Sequence, residues 1–399
     1  MGGSGLPNDN SKSIFEDSVA TFLATVKSYL EDDSVSEVLV NGPSEIFVER
    51  KGKLEKVDAK FKDEQALQAA VRNIAQFVGR RIDEDNPTLD ARLPDGSRVA
   101  AVLPPCSRKG TTLSIRKFSK GNPTFVDLIN RGSITKDAAR FLDVCIYLAK
   151  NMIISGGTGS GKTTLLNVLG SRITGNQRVL VIEDSSELKI NTDHVVFFET
   201  KHANAEGKGA VTIRDLIKSA LRLRPDRIVV GEVRAAEALD LITAMNTGHG
   251  GSMGTVHANT PYDGLIRLET LAMMGDSQVP VQAIRRQIAA AIHIVVQIKR
   301  MNDGSRRITY ISEVIPEVDE FGKYQINDIY RFVQRGMTAD GKIVGELVPT
   351  GNLPTFMSEI EVNRLPFTRD KFIAPDWYKE ILAKEQRLAK EDPKNKNAA

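Results

Sequence analysis

The chain has 399 residues, more than one hydrophobic core usually fills, so two domains with terminal extensions are expected. Its 54 basic and 51 acidic residues leave a net charge of +3, and 41% hydrophobic with 26% charged residues is a globular composition that makes no demand for nucleic acid. Two cysteines, Cys106 and Cys145, are too few for a zinc cluster or a disulfide framework, and the longest apolar run, 289–298, is interrupted by His293 and falls short of the roughly 20 residues of a membrane helix.

The opening Met1-Gly2-Gly3-Ser4-Gly5 lacks the features of a signal peptide, and the chain is expected in the cytoplasm, with membrane contact only through partners. From 13 to 30, Ile14, Phe15, Val19, Phe22, Leu23, Val26 and Leu30 recur at helical spacing. The period then changes to that of strands at 38–40, 45–50 and 53–54, separated by the turns Asn41-Gly42-Pro43 and Lys51-Gly52. A helix is expected at 65–78, with further strands at 99–103 and 112–116, so that 34–118 reads as a small α+β domain behind a leader and helix at 1–33. Ser119-Lys120-Gly121-Asn122-Pro123 has the turn chemistry of an interdomain hinge, within a linker taken as 119–136.

Beyond the hinge, strands at 151–155, 178–182, 227–230 and 254–257 alternate with helices at 125–131, 136–150, 164–169, 213–223, 235–246 and 264–273. Such alternation predicts a parallel sheet covered on both faces, a second domain over 137–335. Antiparallel strands are expected at 292–298, 307–314 and 324–332, then an extension and tail at 336–399 whose charged end from 383 reads as a fraying helix.

The chemistry centres on Gly156-Gly157-Thr158-Gly159-Ser160-Gly161-Lys162-Thr163, between an apolar strand and a helix opening at Thr164. In a strand, loop, helix context the loop N–H groups of Gly157 to Gly161 cradle phosphate, and the helix N-terminus adds positive potential. Lys162 reaches the terminal phosphates and Thr163 ligates Mg²⁺, so a nucleoside triphosphate with Mg²⁺ is the expected ligand. P-loop chemistry also needs a carboxylate on a strand beside the P-loop strand. Two apolar strands end in acid: Val179 to Ile182 before Glu183-Asp184, with Glu187 a turn further on, and Ile228 to Val230 before Gly231-Glu232. Two of five histidines lie in Gly248-His249-Gly250-Gly251-Ser252-Met253-Gly254-Thr255-Val256-His257-Ala258-Asn259, where His257 at a strand end can approach a γ-phosphate. A guanidinium commonly stabilises the transferring phosphoryl group, sometimes from a neighbouring subunit; if the N-terminal domain packs on the nucleotide, Arg98 and Arg116 are its expected contributors.

These motifs resemble the secretion ATPase superfamily of type II and type IV secretion and type IV pili. Its boxes are matched in order by a Walker A at 156–163, an Asp box at 182–188, a Walker B at 229–234 and a His box at 248–259. Upstream, Glu37-Val38-Leu39-Val40-Asn41-Gly42-Pro43, Glu49-Arg50-Lys51-Gly52, Leu93-Pro94-Asp95-Gly96-Ser97-Arg98-Val99 and Leu113-Ser114-Ile115-Arg116-Lys117-Phe118 are similar to the CpaF branch, which drives tight-adherence (Tad) pili. The resemblance spans about 35–335, and members with a tetracysteine zinc module are less similar because no such cysteines occur. It implies an α/β fold with a RecA-like ATPase domain behind an α+β N-terminal domain across a mobile linker. It also implies a homohexamer with ATP near the subunit boundary, acting on inner-membrane platform proteins of a pilus or secretion machine without nucleic acid, peripheral to the inner membrane. Glu183 is then the expected catalytic base, Glu187 the second choice, and Glu232 is assigned to the Mg²⁺ water shell. A conjugative or type IV secretion traffic ATPase is the alternative, and a nucleotide-gated scaffold with negligible turnover is a third reading.

Overall fold

Two sheets organise the chain, and in the computed structural model they fall in separate units: residues up to 121 with 205–208, and residues 122–204 with 209–399. The structure describes residues 22–50, 52–93, 95–117, 121–201, 203, 208–275 and 279–391, with side chains to 384. The expected helix at 13–30 and the hinge at 119–123 therefore lie partly outside the described residues, as does the tail beyond 391.

In the first unit the short helix α1 (Lys27–Glu31) precedes β1 (Val35–Asn41), β2 (Ile46–Arg50) and β3 (Lys53–Val57); α2 (Glu64–Phe77) then leads to β4 (Thr88–Arg92), β5 (Arg98–Val102) and β6 (Thr112–Arg116). The antiparallel order is β3-β2-β1-β6-β5-β4. Alternate residues Val38, Val40, Ile46, Val48, Val99, Leu113 and Ile115 are buried with Leu67, Val71 and Ile74 of α2, the two-residue and 3.6-residue periods meeting in one core. Asp63 starts α2 by accepting from the Ala66 N–H at 2.8 Å.

The second unit begins with α3 (Phe125–Asn130) and α4 (Lys136–Tyr147), then β7 (Met152–Gly156), α5 (Lys162–Gly170), β8 (Val179–Glu183), β9 (Val195–Glu199), α6 (Ile213–Ala220) and β10 (Arg227–Val230). It continues with α7 (Glu237–Asn246), β11 (Met253–Val256), α8 (Pro261–Met273), α9 (Val281–Ala291), β12 (Ile294–Arg300), β13 (Arg306–Val318), β14 (Tyr324–Met337) and β15 (Ile343–Pro349). Two helices close the described chain, α10 (Met357–Val362) and α11 (Asp376–Glu391). The sheet order is β15-β14-β13-β12-β7-β11-β10-β8-β9, parallel from β12 to β9 and antiparallel from β12 to β15. Adjacent residues of one strand feed opposite cores. Ile154, Val181, Val229 and Val296 pack with α3 to α5, while Ile153, Leu180, Ile182, Ile228 and Val295 pack with α6 to α9. Burial on both faces is why these strands read as unbroken apolar runs.

Four expectations are corrected. β12 is parallel to β7 rather than part of a purely antiparallel group, because α9 returns the chain in the direction of β7. Neither acidic strand lies beside β7: β11 is its neighbour, followed by β10, which precedes Glu232, and then β8, which ends in Glu183. The helix expected at 125–131 forms as α3, but it buries Phe125 and Leu128 in the second unit, so the linker does not reach 136. Nor is 336–399 a mere extension: β15 pairs with β14, and Phe356, Phe367 and Phe372 surround Phe141 of α4 with ring centroids 5.6–6.2 Å away. Among the described residues no helix is long and apolar enough to cross a membrane.

Candidate functional site

In a parallel sheet ligands bind at the carboxyl ends of the strands, and here that edge carries the Gly-rich loop, three acidic strand ends (Glu183 of β8, Glu199 of β9 and Glu232 just past β10) and, among the described residues, His257. The loop leaves β7 at Gly156 and enters α5 at Lys162. Gly161 adopts φ +100° as the residue before the helix, a conformation a side chain resists. Ser160, 1% exposed, donates its hydroxyl to Gly157 O at 2.8 Å and fastens the loop across its base. Thr158 and Gly159 form the exposed crest. Lys162 Nζ donates to Gly156 O at 3.0 Å and Gly157 O at 3.1 Å, so its ammonium is held within the loop. Thr163 follows half-buried and Thr164 exposed on the first turn of α5.

Glu183 is 3% exposed. Burial pushes its carboxyl up to about 7, against the lowering effect of hydrogen bonds that Oε1 accepts from the Glu187 and Leu188 N–H groups, each 2.9 Å. Gly231, just past β10, makes room for it: a Cβ there would stand 3.0 Å from Glu183 Cγ. Gly231 is fixed in turn, its N–H donating to Ile182 O at 2.9 Å and its carbonyl accepting from Thr255 Oγ1 at 2.7 Å. Glu187 is thus tied to Glu183 through its backbone, with its own side chain half-buried.

Glu232 accepts from Arg234 Nε at 2.9 Å and Nη2 at 2.5 Å, and Arg234 Nη1 lies 3.5 Å from Asp184. One guanidinium therefore bridges the tips of β8 and β10. The Arg234 and Ala235 N–H groups donate to Glu237 Oε1 at 2.6 and 2.8 Å, fixing the turn into α7. Neither this bridge nor the Glu237 cap is visible in a motif, since both depend on where the chain turns.

The structure separates the two histidines. His257 is exposed and follows Val256, the register partner of Ser155 on β7, so it emerges at the level of the first loop glycine. Gln297 Nε2 donates to Ala258 O at 3.1 Å and steadies that chain end from β12. His249 precedes β11 at the opposite edge, its Nδ1 3.1 Å from Ala244 O. Arg98 and Arg116 belong to the first unit, where they are register partners across β5 and β6, with Glu37 opposite Arg116 on β1.

No group of three His, Cys, Asp or Glu side chains able to hold a metal occurs among the described residues. Mg²⁺ needs none: it keeps several waters and takes one or two protein oxygens beside phosphate. The hydroxyl of Thr163 and the carboxylate of Glu232 are the hard oxygen donors such an ion accepts, and the residues fit it.

A Gly-rich turn from strand to helix on a parallel sheet between two helical layers, with antiparallel strands added along one edge, gives the second unit a RecA-like α/β fold, preceded in the chain by an α+β unit. The chain belongs to the type II/IV secretion system protein family, whose model matches residues 20–327, and within it is VirB11-like. It is 35% identical over 325 residues to a putative conjugal transfer protein of Mycobacterium tuberculosis (strain CDC 1551 / Oshkosh), covering 80% of this chain and 91% of that one. It is 33% identical over 325 residues to the type IV secretion system protein VirB11 of Brucella suis biovar 1, covering 74% and 90%. Among solved structures, the VirB11 ATPase of the Brucella suis type IV secretion system in complex with sulphate aligns with 29% identity over 76% of this chain and 97% of that one, at a TM-score of 0.40.

Proposed function

We propose that this protein is an ATP-hydrolysing motor, working as a homohexamer on the membrane platform of a secretion or pilus machine, and that it serves the assembly or retraction of Tad pili. The observation that carries the enzymatic reading is Glu183, a buried carboxyl raised to about 7 at the same sheet edge as the P-loop. A base of that pKa takes a proton from water near neutrality and releases it again. Lys162 and the N–H groups of Gly157 to Gly161 hold the phosphates, Thr164 closes the cradle, and His257 faces the γ-phosphate from the neighbouring strand. Glu187 is the second candidate for the base. Bound Mg²⁺ would neutralise charge on the phosphates, held by Thr163 and, through water, by Glu232. The cytoplasmic side of the inner membrane is the proposed location.

The Tad assignment rests on the N-terminal motifs from Glu37 to Phe118. A conjugation or type IV secretion traffic ATPase is the second reading, favoured by the names of the relatives that most of this chain matches. Phosphate release by the purified chain tests the motor reading, and a folded protein that binds ATP without releasing phosphate would leave a nucleotide-gated scaffold. Restoration of pilus assembly or of conjugation in a strain lacking the chain separates the first two.

Glu232→Gln should leave ATP binding intact but raise the Mg²⁺ concentration for half-maximal turnover by roughly tenfold, since a charge-assisted hydrogen bond to the metal's water is lost. An unchanged Mg²⁺ titration would remove Glu232 from the metal shell. Arg98 and Arg116 are proposed to stabilise the transferring phosphoryl group of a neighbouring subunit. Inactive Arg116→Ala and Lys162→Ala chains should therefore regain partial activity when mixed, because some interfaces then hold one intact site. Absence of recovery for both arginines would leave the site complete within one chain.

A further inference from the structure

The β12–β13 hairpin brings two arginines to the P-loop that no motif marks. Arg300 ends β12 and Arg306 opens β13; they are register partners and so share one face of the hairpin. Arg306 Nε donates to Gly159 O at 3.0 Å, and a Cβ on Gly161 would stand 3.2 Å from Arg306 Cδ, so its stem lies along the loop. Arg300 Nη1 is 3.4 Å from where a Gly159 Cβ would be. The approach is built in from the strands: Ile298 is the register partner of Gly156, and a side chain at Gly156 would collide with the Ile298 carbonyl. The hairpin turn is itself anchored, Asp303 accepting from the Ser305 N–H at 2.9 Å and from the Ile343 N–H of β15 at 2.8 Å.

The side of the loop matters. β12 flanks β7 on one side, whereas β11, β10 and β8, which lead to His257, Glu232 and Glu183, lie on the other. A nucleotide whose terminal phosphate faces the carboxylates must turn its nucleoside end towards β12. We propose that Arg300 and Arg306 form a nucleotide-binding pair that engages the ribose, common to ATP and ADP and absent from inorganic polyphosphate, from within the same chain. This rests on the nucleotide-site reading above. Guanidinium N–H donors suit the oxygens of sugar hydroxyls, and Arg306 is both exposed and fixed by its bond to Gly159. The pair therefore sets affinity for nucleotide, in contrast to Arg98 and Arg116, proposed to act on the transferring group.

The test measures binding of ADP, ATP and inorganic tripolyphosphate to the full chain by calorimetry, with turnover in parallel. Arg300→Gln and Arg306→Gln keep part of each stem and an amide donor; Arg300→Lys and Arg306→Lys serve if a glutamine variant melts early. Each glutamine variant should weaken ADP and ATP about tenfold, as expected for losing a charged hydrogen bond, leave tripolyphosphate within about twofold, and raise KM more than it changes kcat. Unchanged ADP affinity would overturn the proposal. So would an equal loss for tripolyphosphate, which would make the arginines props of the loop and nothing more. Lys162→Ala should weaken all three ligands. If the wild-type chain binds none of them, it is the nucleotide-site reading that fails.

Discussion

Replacing Lys162 by alanine is expected to lower ATP turnover by roughly 10²–10³-fold or more, the range for removing one preorganised charge from a phosphoryl-transfer site. The ammonium is the cation held inside the loop by Gly156 O and Gly157 O, within reach of anything the loop cradles. Its loss should barely affect stability, because the bonds are to a surface loop while the strand and helix on either side stay packed through Ile153, Ile154, Leu165 and Leu166. Circular dichroism and melting temperature establish that the variant is folded, and phosphate release then decides. Wild-type turnover in a folded Lys162→Ala chain would end the P-loop assignment.

Glu183→Gln should show two effects of opposite sign. Glutamine still accepts from the Glu187 and Leu188 N–H groups but takes no proton from water, so turnover should fall roughly 10²-fold or more. In the wild type, kcat/KM should decline as pH drops below about 7, where Glu183 gains a proton, and the variant should lack that limb. Stability moves the other way. The folded pKa lies above the unfolded value, so the folded chain holds a proton that the unfolded chain releases. Wild-type stability is therefore lost as pH rises from about 4.5 to about 7, on the order of 3 kcal/mol in all. Glu183→Gln should be more stable than wild type at pH 8 and show little gain near pH 4, as read from denaturant midpoints. If Glu187→Gln is dead while Glu183→Gln turns over, the base is Glu187.

The parts legible in the sequence are those written in consecutive residues. The loop from Gly156 to Thr163 could be read with its flanking strand and helix because each constraint acts within a few residues, and the apolar runs ending in Glu183 and Glu232 marked strand tips. What could not be read depends on pairing between distant segments. Period fixes which face a residue takes but not the strand's neighbour or direction, so it places neither β8 nor β10 relative to β7 and does not tell that β12 runs parallel to β7. His249 and His257 share one motif, yet the strand between them carries them to opposite edges. Arg300 and Arg306 look like ordinary surface cations until the hairpin register and the Ile298 to Gly156 pairing bring them to the loop.

The family model's match ends at residue 327, but the body that folds does not. Phe141 lies in the rings of Phe356, Phe367 and Phe372, Lys150 beside the P-loop strand is paired with Glu359 at 2.8 Å, and Asp303 is tied to Ile343. The stretch the family model matches is thus shorter than the packed unit it belongs to. Transferring the second unit into another protein would require carrying its final stretch along with it, as one inheritable block.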